Sequence, residues 1–315
     1  ATRWYMITNA QPWDNLKFDE DGITEVQRKF FGTLYNTYSF FALYANVDGF
    51  AFKEDEIPLN ARPEIDRWIL SKLNSLIDAV DKAFGDFEPT KAGRLIQEFT
   101  VDELSNWYVR LCRRRFWKGS YSEDKISAYQ TLFTCLETIA RLSSPIAPFY
   151  TDQLYIDLMT AVDGGGAESV HLSDFPKARP EFIDEELENR MEIAQRVTSM
   201  VLALRKKEKI RVRQPLNKIM LPVLNEDFAR RVKEVEALIL SEVNIKEIQY
   251  LTDTSGVLVK QAKANFKTLG PKYGKQMKGI ASEVSGWAQD QIQAFEFTGK
   301  SKFQVDGVEV DLGAE

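Results

Sequence analysis

The sequence predicts a mainly α-helical protein, with a helical bundle over residues 1–160, a linker over 161–180 and a smaller α+β domain over 181–315. Apolar residues recur at helical spacing through the first half of the chain. Three consecutive glycines and two prolines interrupt this pattern between residues 161 and 180, and beyond residue 207 the spacing changes to short alternating runs. The length of 315 residues and the 44% apolar composition suit two packed domains and exclude a disordered chain.

Five segments with apolar residues at helical spacing predict the helices of the bundle. Pro63 suits the first turn of the second helix, because the N–H group that proline lacks is not needed there. Pro145 and Pro148 separate the fourth helix from the fifth, because proline cannot donate a hydrogen bond in a helix interior. The predicted helices cover residues 26–41, 63–84, 89–118, 126–140 and 149–158.

The second domain is predicted to begin with a long helix from Glu181 to Lys207. Alternation of Ile210 and Val212 with two arginines predicts a strand over 210–213. The remaining predicted elements are strands at 219–223, 245–250 and 257–259, helices at 227–240 and 275–295, and a hairpin that turns at Asp306-Gly307. Since the chain begins with Ala1 and stops just after this hairpin, we expect it to be part of a longer protein.

Positive charge is concentrated in three runs of an otherwise acidic chain. The chain has 41 Lys and Arg against 47 Asp and Glu, which gives a formal charge of −6. Residues 110–118 carry five cations, residues 205–213 carry a net charge of +5, and residues 260–278 carry six cations. These three runs together hold +16, so the rest of the chain holds −22. Because surface helices usually mix both signs of charge, the runs indicate an anionic partner.

The third predicted helix carries the most informative run. Counting 100° per residue from Leu104 places two tryptophans and three arginines in one arc, away from the apolar stripe. The candidate residues are Trp107, Arg110, Arg113, Arg114 and Trp117, followed by Lys118. Arginine binds phosphate and tryptophan stacks on unpaired bases, so this arc is a candidate nucleic-acid surface. The alternative is that both tryptophans are core residues and the arginines pair with acids. For Arg115, which points toward the apolar stripe, an internal ion pair is favoured.

The other two basic runs supply further candidate contacts. Residues 205–207 end a predicted helix, where cations complement the helix dipole whatever the function. That explanation does not cover Arg211 and Arg213, which lie on one face of the predicted strand. The cations of the third run stand at a predicted helix start, where positive charge opposes the dipole, so they favour an anion. These candidates are Lys272, Lys275 and Lys278.

The sequence contains no catalytic signature. The single histidine, His171, lies in the predicted linker without a nucleophile motif beside it. Cys112 and Cys135 fall inside helical patterns and are expected to be free thiols in a reducing cytosol. No phosphate-binding loop, dinucleotide fingerprint, metal-ligand spacing or membrane-spanning stretch occurs. We therefore expect a region that binds a partner and does no chemistry itself.

Three long motifs resemble one family of proteins. They are RWYMITNAQPWDNLKFDEDGITEVQRKFFGTLYNTYSFFALYANVDGF from residue 3, ELSNWYVRLCRRRFWKG from residue 103 and SSPIAPFYTDQLY from residue 143. Together they are similar to the anticodon-binding helical region of class I aminoacyl-tRNA synthetases, and most of all to the isoleucyl-tRNA synthetases. The segments RVRQPL at 211–216 and NFKTLGPKYGKQMK at 265–278 extend the resemblance over nearly the whole chain.

The resemblance implies that this chain grips the anticodon stem and loop of the isoleucine tRNA, with the candidate residues of the three basic runs as contacts. It also implies that the full-length protein is an isoleucine–tRNA ligase. Such an enzyme uses ATP and Mg²⁺ in a catalytic domain and has an editing domain, and this chain lacks the signatures of both. We therefore expect the chain alone to be inactive and to hold no cofactor. Zinc is not expected either, because the cysteine ligands of the zinc-binding relatives are missing.

The resemblance and composition also predict a cytoplasmic monomer with no membrane contact. Two other interpretations stay open at this point. The same region of a valyl-type synthetase would share the SPIAPF motif at 144–149. A non-catalytic helical scaffold would instead use the basic runs to bind acidic proteins.

Overall fold

The computed structural model describes residues 1–162, 165–223, 225–251, 261–305 and 307–313. It confirms the mainly α-helical class, with four short strands among the described residues. The chain divides into two compact units, residues 1–199 and residues 200–315. This division falls inside a long helix, whereas the sequence placed the change of character at residues 161–180.

The first unit is a bundle of helices that follow the apolar stripes of the sequence. Two segments of π-helix, Gln27–Phe31 and Phe99–Val109, continue directly into the α-helices that follow them. The α-helices are α1 Thr2–Asn9, α2 Glu20–Val26, α3 Gly32–Asp48, α4 Glu64–Gly85, α5 Pro89–Glu98, α6 Arg110–Trp117, α7 Glu123–Ser143, α8 Pro148–Met159 and α9 Glu185–Lys207.

Three of the five helices predicted for the bundle match α4, α7 and α8. Pro63 is the N-cap of α4, with ψ at 151°, so it precedes the first turn and does not lie within it. The other two predicted helices are each interrupted by π-helix, and α1 was not predicted at all. A π-helix bonds each N–H to the carbonyl five residues back, and local composition gives no signal for that choice.

Close packing of α1 against α5 depends on one aromatic residue and one glycine. Trp4 is fully buried, and its ring stacks on Phe30 with 4.2 Å between centroids. The Trp4 Nε1 group donates a hydrogen bond to Gln97 Oε1 at 3.1 Å. A Cβ atom added at Gly93 would lie only 2.7 Å from Thr8 Cγ2. The two helices can therefore approach this closely because residue 93 has no side chain.

A single buried carboxylate joins four helical segments of the bundle. Asp66 on α4 is fully buried and accepts hydrogen bonds from Tyr108 OH at 2.9 Å and Ser127 Oγ at 2.6 Å. Arg115 donates two more, from Nη1 at 2.6 Å and from Nη2 at 2.8 Å. Burial would lower the pKa of Arg115, but its hydrogen bonds to Asp66 raise that pKa overall. Arg115 therefore keeps its positive charge in the bundle. The hydrogen bonds of Asp66 tie α4 to Phe99–Val109, α6 and α7.

The second unit combines short helices with two pairs of strands. Its elements are β1 Leu216–Pro222, α10 Glu226–Glu234, α11 Glu236–Val243, β2 Ile245–Leu251, α12 Phe266–Tyr273, α13 Met277–Ser285, α14 Gln289–Thr298, β3 Lys300–Val305 and β4 Val308–Gly313. Strands β1 and β2 are parallel, with Leu216 opposite Ile245, and α10 and α11 form the crossover between them. Strands β3 and β4 form an antiparallel hairpin whose inner face packs on α13 through Val305, Val310 and Leu312.

Several predicted elements of the second unit are corrected by the structure. The helix predicted at 227–240 is two helices, and the helix predicted at 275–295 is also two, α13 and α14. The long helix begins at Glu185, not at 181. The hairpin is confirmed, with Gly307 at φ +77°, although Asp306 lies outside the described residues. The strand predicted at 257–259 also lies outside them.

Replacing Asp66 by alanine should lower the free energy of unfolding by about 3–5 kcal/mol, because Arg115 would be left buried without its main partner. A urea titration followed by circular dichroism measures this change. Asp124 is the matched control, since it also pairs with Arg115, at 3.0 Å, but is half exposed. Asp124→Ala should cost about 1 kcal/mol or less. Equal losses in the two variants would contradict the central role assigned to Asp66.

Candidate nucleic-acid interface

Trp107, in the π-helical segment before α6, does not reach the surface. The predicted exposed position of Trp107 is wrong, because its side chain is only 6% exposed. Trp107, Tyr108 and Val109 are all buried, so the buried face of this segment is wider than the single apolar stripe read from the sequence. The guanidinium of Arg110 covers the Trp107 ring, with Cζ 5.4 Å from the ring centroid. Trp107 is thus a core residue beneath the predicted surface.

The rest of the predicted arc does lie on the surface. Arg110, Arg113, Arg114, Trp117 and Lys118 are exposed, and Trp117 retains 48% of its accessible area. Within the part of the chain that the structure describes, no carboxylate forms an ion pair with Arg113, Arg114 or Lys118. Arg114 lies in the last turn of α6 and Lys118 just after it, where the helix dipole favours positive charge. The folded bundle therefore presents them to solvent, open to an external anion.

Arg115 differs from its neighbours because it is the cation that the bundle neutralises. Its guanidinium pairs with Asp66 at 2.6 Å and with Asp124 at 3.0 Å. The internal ion pair predicted for this residue is confirmed. The alternative, in which the arginines of this run pair with acids across the bundle, holds for Arg115 but not for Arg113 or Arg114.

The second basic run does not form the strand predicted for residues 210–213. Arg205 is buried at 3% exposure, and its Nη1 donates to the carbonyl oxygens of Arg211 and Gln214, both at 3.0 Å. Its Nη2 donates to the carbonyl oxygen of Asn244 at 3.1 Å. The chain therefore turns around this guanidinium, and it does so with Lys209 at φ +55°. Arg205 is a structural cap of the turn, which a helix-dipole argument alone does not predict.

Arg211 and Arg213 are exposed on this turn and not on a strand face. The turn brings both residues close to the C-terminal end of α9, where Lys206 and Lys207 are also exposed. With Lys209 on the same turn, five exposed cations are thus concentrated at the start of the second unit.

The third basic run lies on α12, a short 3₁₀ turn and the first residues of α13. Lys272, Lys275 and Lys278 are all exposed. Lys272 is in the last turn of α12, where the dipole favours a cation, so only Lys278 stands at a helix start as predicted. Among the described residues none of the three forms an ion pair.

One surface residue of this region was not found from the sequence. Phe40 on α3 lies 5.8 Å from Arg113 Cζ, measured to its ring centroid, and packs edge-on against Phe116 at 5.1 Å. The sequence shows Phe40 beside the apolar stripe of α3, but nothing in its pattern indicates that α3 and α6 meet at this point. Only the packed bundle brings it to the arginine face.

The described residues hold no group of three or more His, Cys, Asp or Glu side chains placed to bind a metal ion. His171 is exposed, with Nε2 3.2 Å from the carbonyl oxygen of Pro148. No described helix has the length and apolar character needed to cross a membrane.

Comparison with known proteins shows a family match over the middle of the chain. Residues 66–220 match the family model described as the anticodon-binding domain of tRNA ligase. This range includes α6, its exposed cations and the turn with Arg211 and Arg213. Residues 66–220 therefore belong to the anticodon-binding domains of tRNA ligases.

Similar proteins narrow the assignment further. The isoleucine–tRNA ligase of Bacteroides thetaiotaomicron is 60% identical over 312 residues, which are 99% of this chain and 27% of the relative. That of Cytophaga hutchinsonii is 57% identical over 315 residues, 100% of this chain and 28% of the relative. The chain is thus homologous to one region of the isoleucine–tRNA ligases and spans little more than a quarter of their length. The resemblance identified from the sequence motifs is confirmed.

Both cysteines are free and buried, as expected, so neither should react in the folded chain. Burial raises the pKa of Cys112 to about 12, and it raises the pKa of Cys135 as well. At pH 8, below the raised pKa values, both thiols stay protonated in the native state. A colorimetric thiol assay at pH 8 should detect neither cysteine in the native chain and both in guanidinium chloride. Rapid labelling of the native chain would contradict the buried positions.

Proposed function

We propose that this chain binds tRNA at the anticodon arm and that α6 supplies the main contact surface. The observation that carries the proposal is the set of exposed cations on α6, of which Arg113, Arg114 and Lys118 have no acidic partner among the described residues. The family match over residues 66–220 supports an RNA partner over other anions.

The charge pattern suits a phosphate backbone. Each cation that neutralises a phosphate releases a condensed counterion, so several neighbouring cations give strong, salt-dependent binding. An overall charge of −6 does not oppose this binding, because exposed charges beyond about 10 Å are largely screened at 0.1 M salt. Arg115 is neutralised by Asp66, so the exposed charges of Arg110, Arg113, Arg114 and Lys118 dominate what an approaching phosphate experiences.

We propose the exposed cations of the second unit as additional tRNA contacts. Arg211, Arg213, Lys272, Lys275 and Lys278 are exposed, as an RNA contact requires. The three lysines would neutralise the backbone, since lysine acts on phosphate as a point charge without reading sequence. They would add affinity and salt dependence but no base discrimination.

For the full-length protein we propose isoleucine–tRNA ligase activity, supported by the names of the relatives at 55–60% identity. ATP, Mg²⁺ and isoleucine would then bind in a catalytic domain that this chain does not contain. No zinc site is proposed in this region. The two free, buried thiols support a reducing, cytoplasmic location, and a monomer is the proposed state.

Reversing the charge of Arg110, Arg113 and Arg114 to glutamate should weaken binding of the isoleucine tRNA by more than about 100-fold, because charge-assisted contacts to phosphate are lost. The slope of log affinity against log salt should also fall by about 2–3. Fluorescence titration of the 315-residue chain with labelled tRNA at several salt concentrations measures both quantities.

A matched control reverses three exposed cations that are already paired with acids, Lys29, Lys91 and Arg196. This control changes the net charge equally, so a nonspecific charge effect would weaken both triple variants alike. Unchanged binding in the α6 variant would remove this helix from the interface. No binding by the wild-type chain even at low salt would instead favour a protein-binding scaffold.

A further inference from the structure

Three side chains at the edge of the α6 surface form a connected group of planar faces. Arg113 Cζ lies 5.8 Å from the ring centroid of Phe40 and 5.9 Å from that of Trp117. Both distances are within the range of a cation–π interaction. One guanidinium thus contacts a ring on α3 and a ring at the end of its own helix.

Buried rings hold this group in place. Phe40 packs edge-on against Phe116 at 5.1 Å, and Phe116 is fully buried and packs edge-on against Tyr129 at 5.1 Å. Phe40 also contacts Tyr44, one turn along α3, at 5.0 Å. The support is therefore a chain of aromatic contacts that reaches from the surface to α7. A preformed surface of this kind loses little conformational freedom when a ligand binds.

Trp117, at the outer end of this group, is exposed to solvent. Trp117 retains 48% of its accessible area, which is unusual for a tryptophan beside a packed core. Lys118 follows it, and Arg114 lies three residues before it on α6, both exposed and neither in an ion pair within the described chain. In single-stranded nucleic acid, a base can stack on such an indole face while the cations on either side bind the phosphates next to it.

We propose that Phe40, Arg113 and Trp117 form a stacking site for one unpaired nucleobase, which rests on Trp117, while Arg114 and Lys118 bind the flanking phosphates. The proposal rests on the proposed tRNA-binding function and specifies its substrate as looped, single-stranded RNA. Arg113 holds Trp117 and Phe40 together through its plane, and its charge adds to the attraction for the RNA backbone. The site should therefore distinguish a loop from a duplex, whose bases are already stacked on each other.

The experiment compares two RNAs with the 315-residue chain: a stem–loop of the anticodon-arm type and the same stem as a blunt duplex without a loop. Trp117→Ala should weaken stem–loop binding by roughly five- to 150-fold, the range for loss of one stacked base, and should leave duplex binding unchanged. Its salt slope should stay at the wild-type value because no charge is removed. Trp117→Phe should recover most of the affinity, since it keeps an aromatic face.

Arg113 and Arg114 provide the matched pair. Arg113→Lys keeps the charge but loses the plane, so it should weaken stem–loop binding by about two- to fivefold and spare the duplex. Arg114→Lys keeps the positive charge that a flanking phosphate requires, so it should weaken stem–loop binding by less than Arg113→Lys does. Thermal unfolding checks that each variant retains the wild-type fold.

Equal losses on both RNAs in Trp117→Ala, or a change smaller than about twofold on the stem–loop, would overturn the stacking site. These results leave the proposed function standing as long as the α6 charge reversal still weakens tRNA binding. Failure of the wild-type chain to bind either RNA would overturn both the function and the stacking site.

Discussion

The hydrogen-bonded pair of Asp66 and Arg115 is the interaction on which the rest of the bundle depends. A buried carboxylate is costly unless all its oxygens are satisfied, and Asp66 meets this condition with four donors from three other segments. Because these donors come from Phe99–Val109, α6 and α7, the bond set fixes all of them relative to α4. Because Arg115 is held toward the core, α6 cannot rotate about its own axis. Its other arginines therefore point toward solvent.

This ion pair lets α6 pack against the apolar core although the helix is rich in arginine. Four of the six residues from 110 to 115 are arginines. The bundle neutralises one cation at its inner face and buries Cys112 and Phe116 beside it. Among the described residues no carboxylate pairs with Arg113 or Arg114, so an external anion would not have to displace an internal one from them.

Sequence periodicity predicted the fold class and the positions of α4, α7 and α8, because each carries an apolar stripe and Pro148 marks the start of α8. It placed the exposed cations of α6 correctly but not Trp107, because three consecutive residues, Trp107 to Val109, are buried by tertiary packing. The strand predicted at 210–213 is wrong for a different reason. Four alternating residues are a weak signal for a strand, and buried Arg205 donates hydrogen bonds to backbone carbonyl groups that hold this segment in a turn. The contact of Phe40 with Arg113 depends on helix crossing, which no local pattern encodes.

The π-helix at Phe99–Val109 has a consequence for how this region can evolve. Side chains around it can be exchanged for others of similar size while the backbone keeps its phase. Gain or loss of a single residue there, with no change of helix type, would rotate everything downstream by about 100° and turn Arg115 away from Asp66. Point substitutions therefore keep the Asp66–Arg115 pair, whereas a length change in this segment keeps it only if π-helix and α-helix interconvert. Among homologues, length variation should concentrate in surface loops, such as the one between α8 and α9.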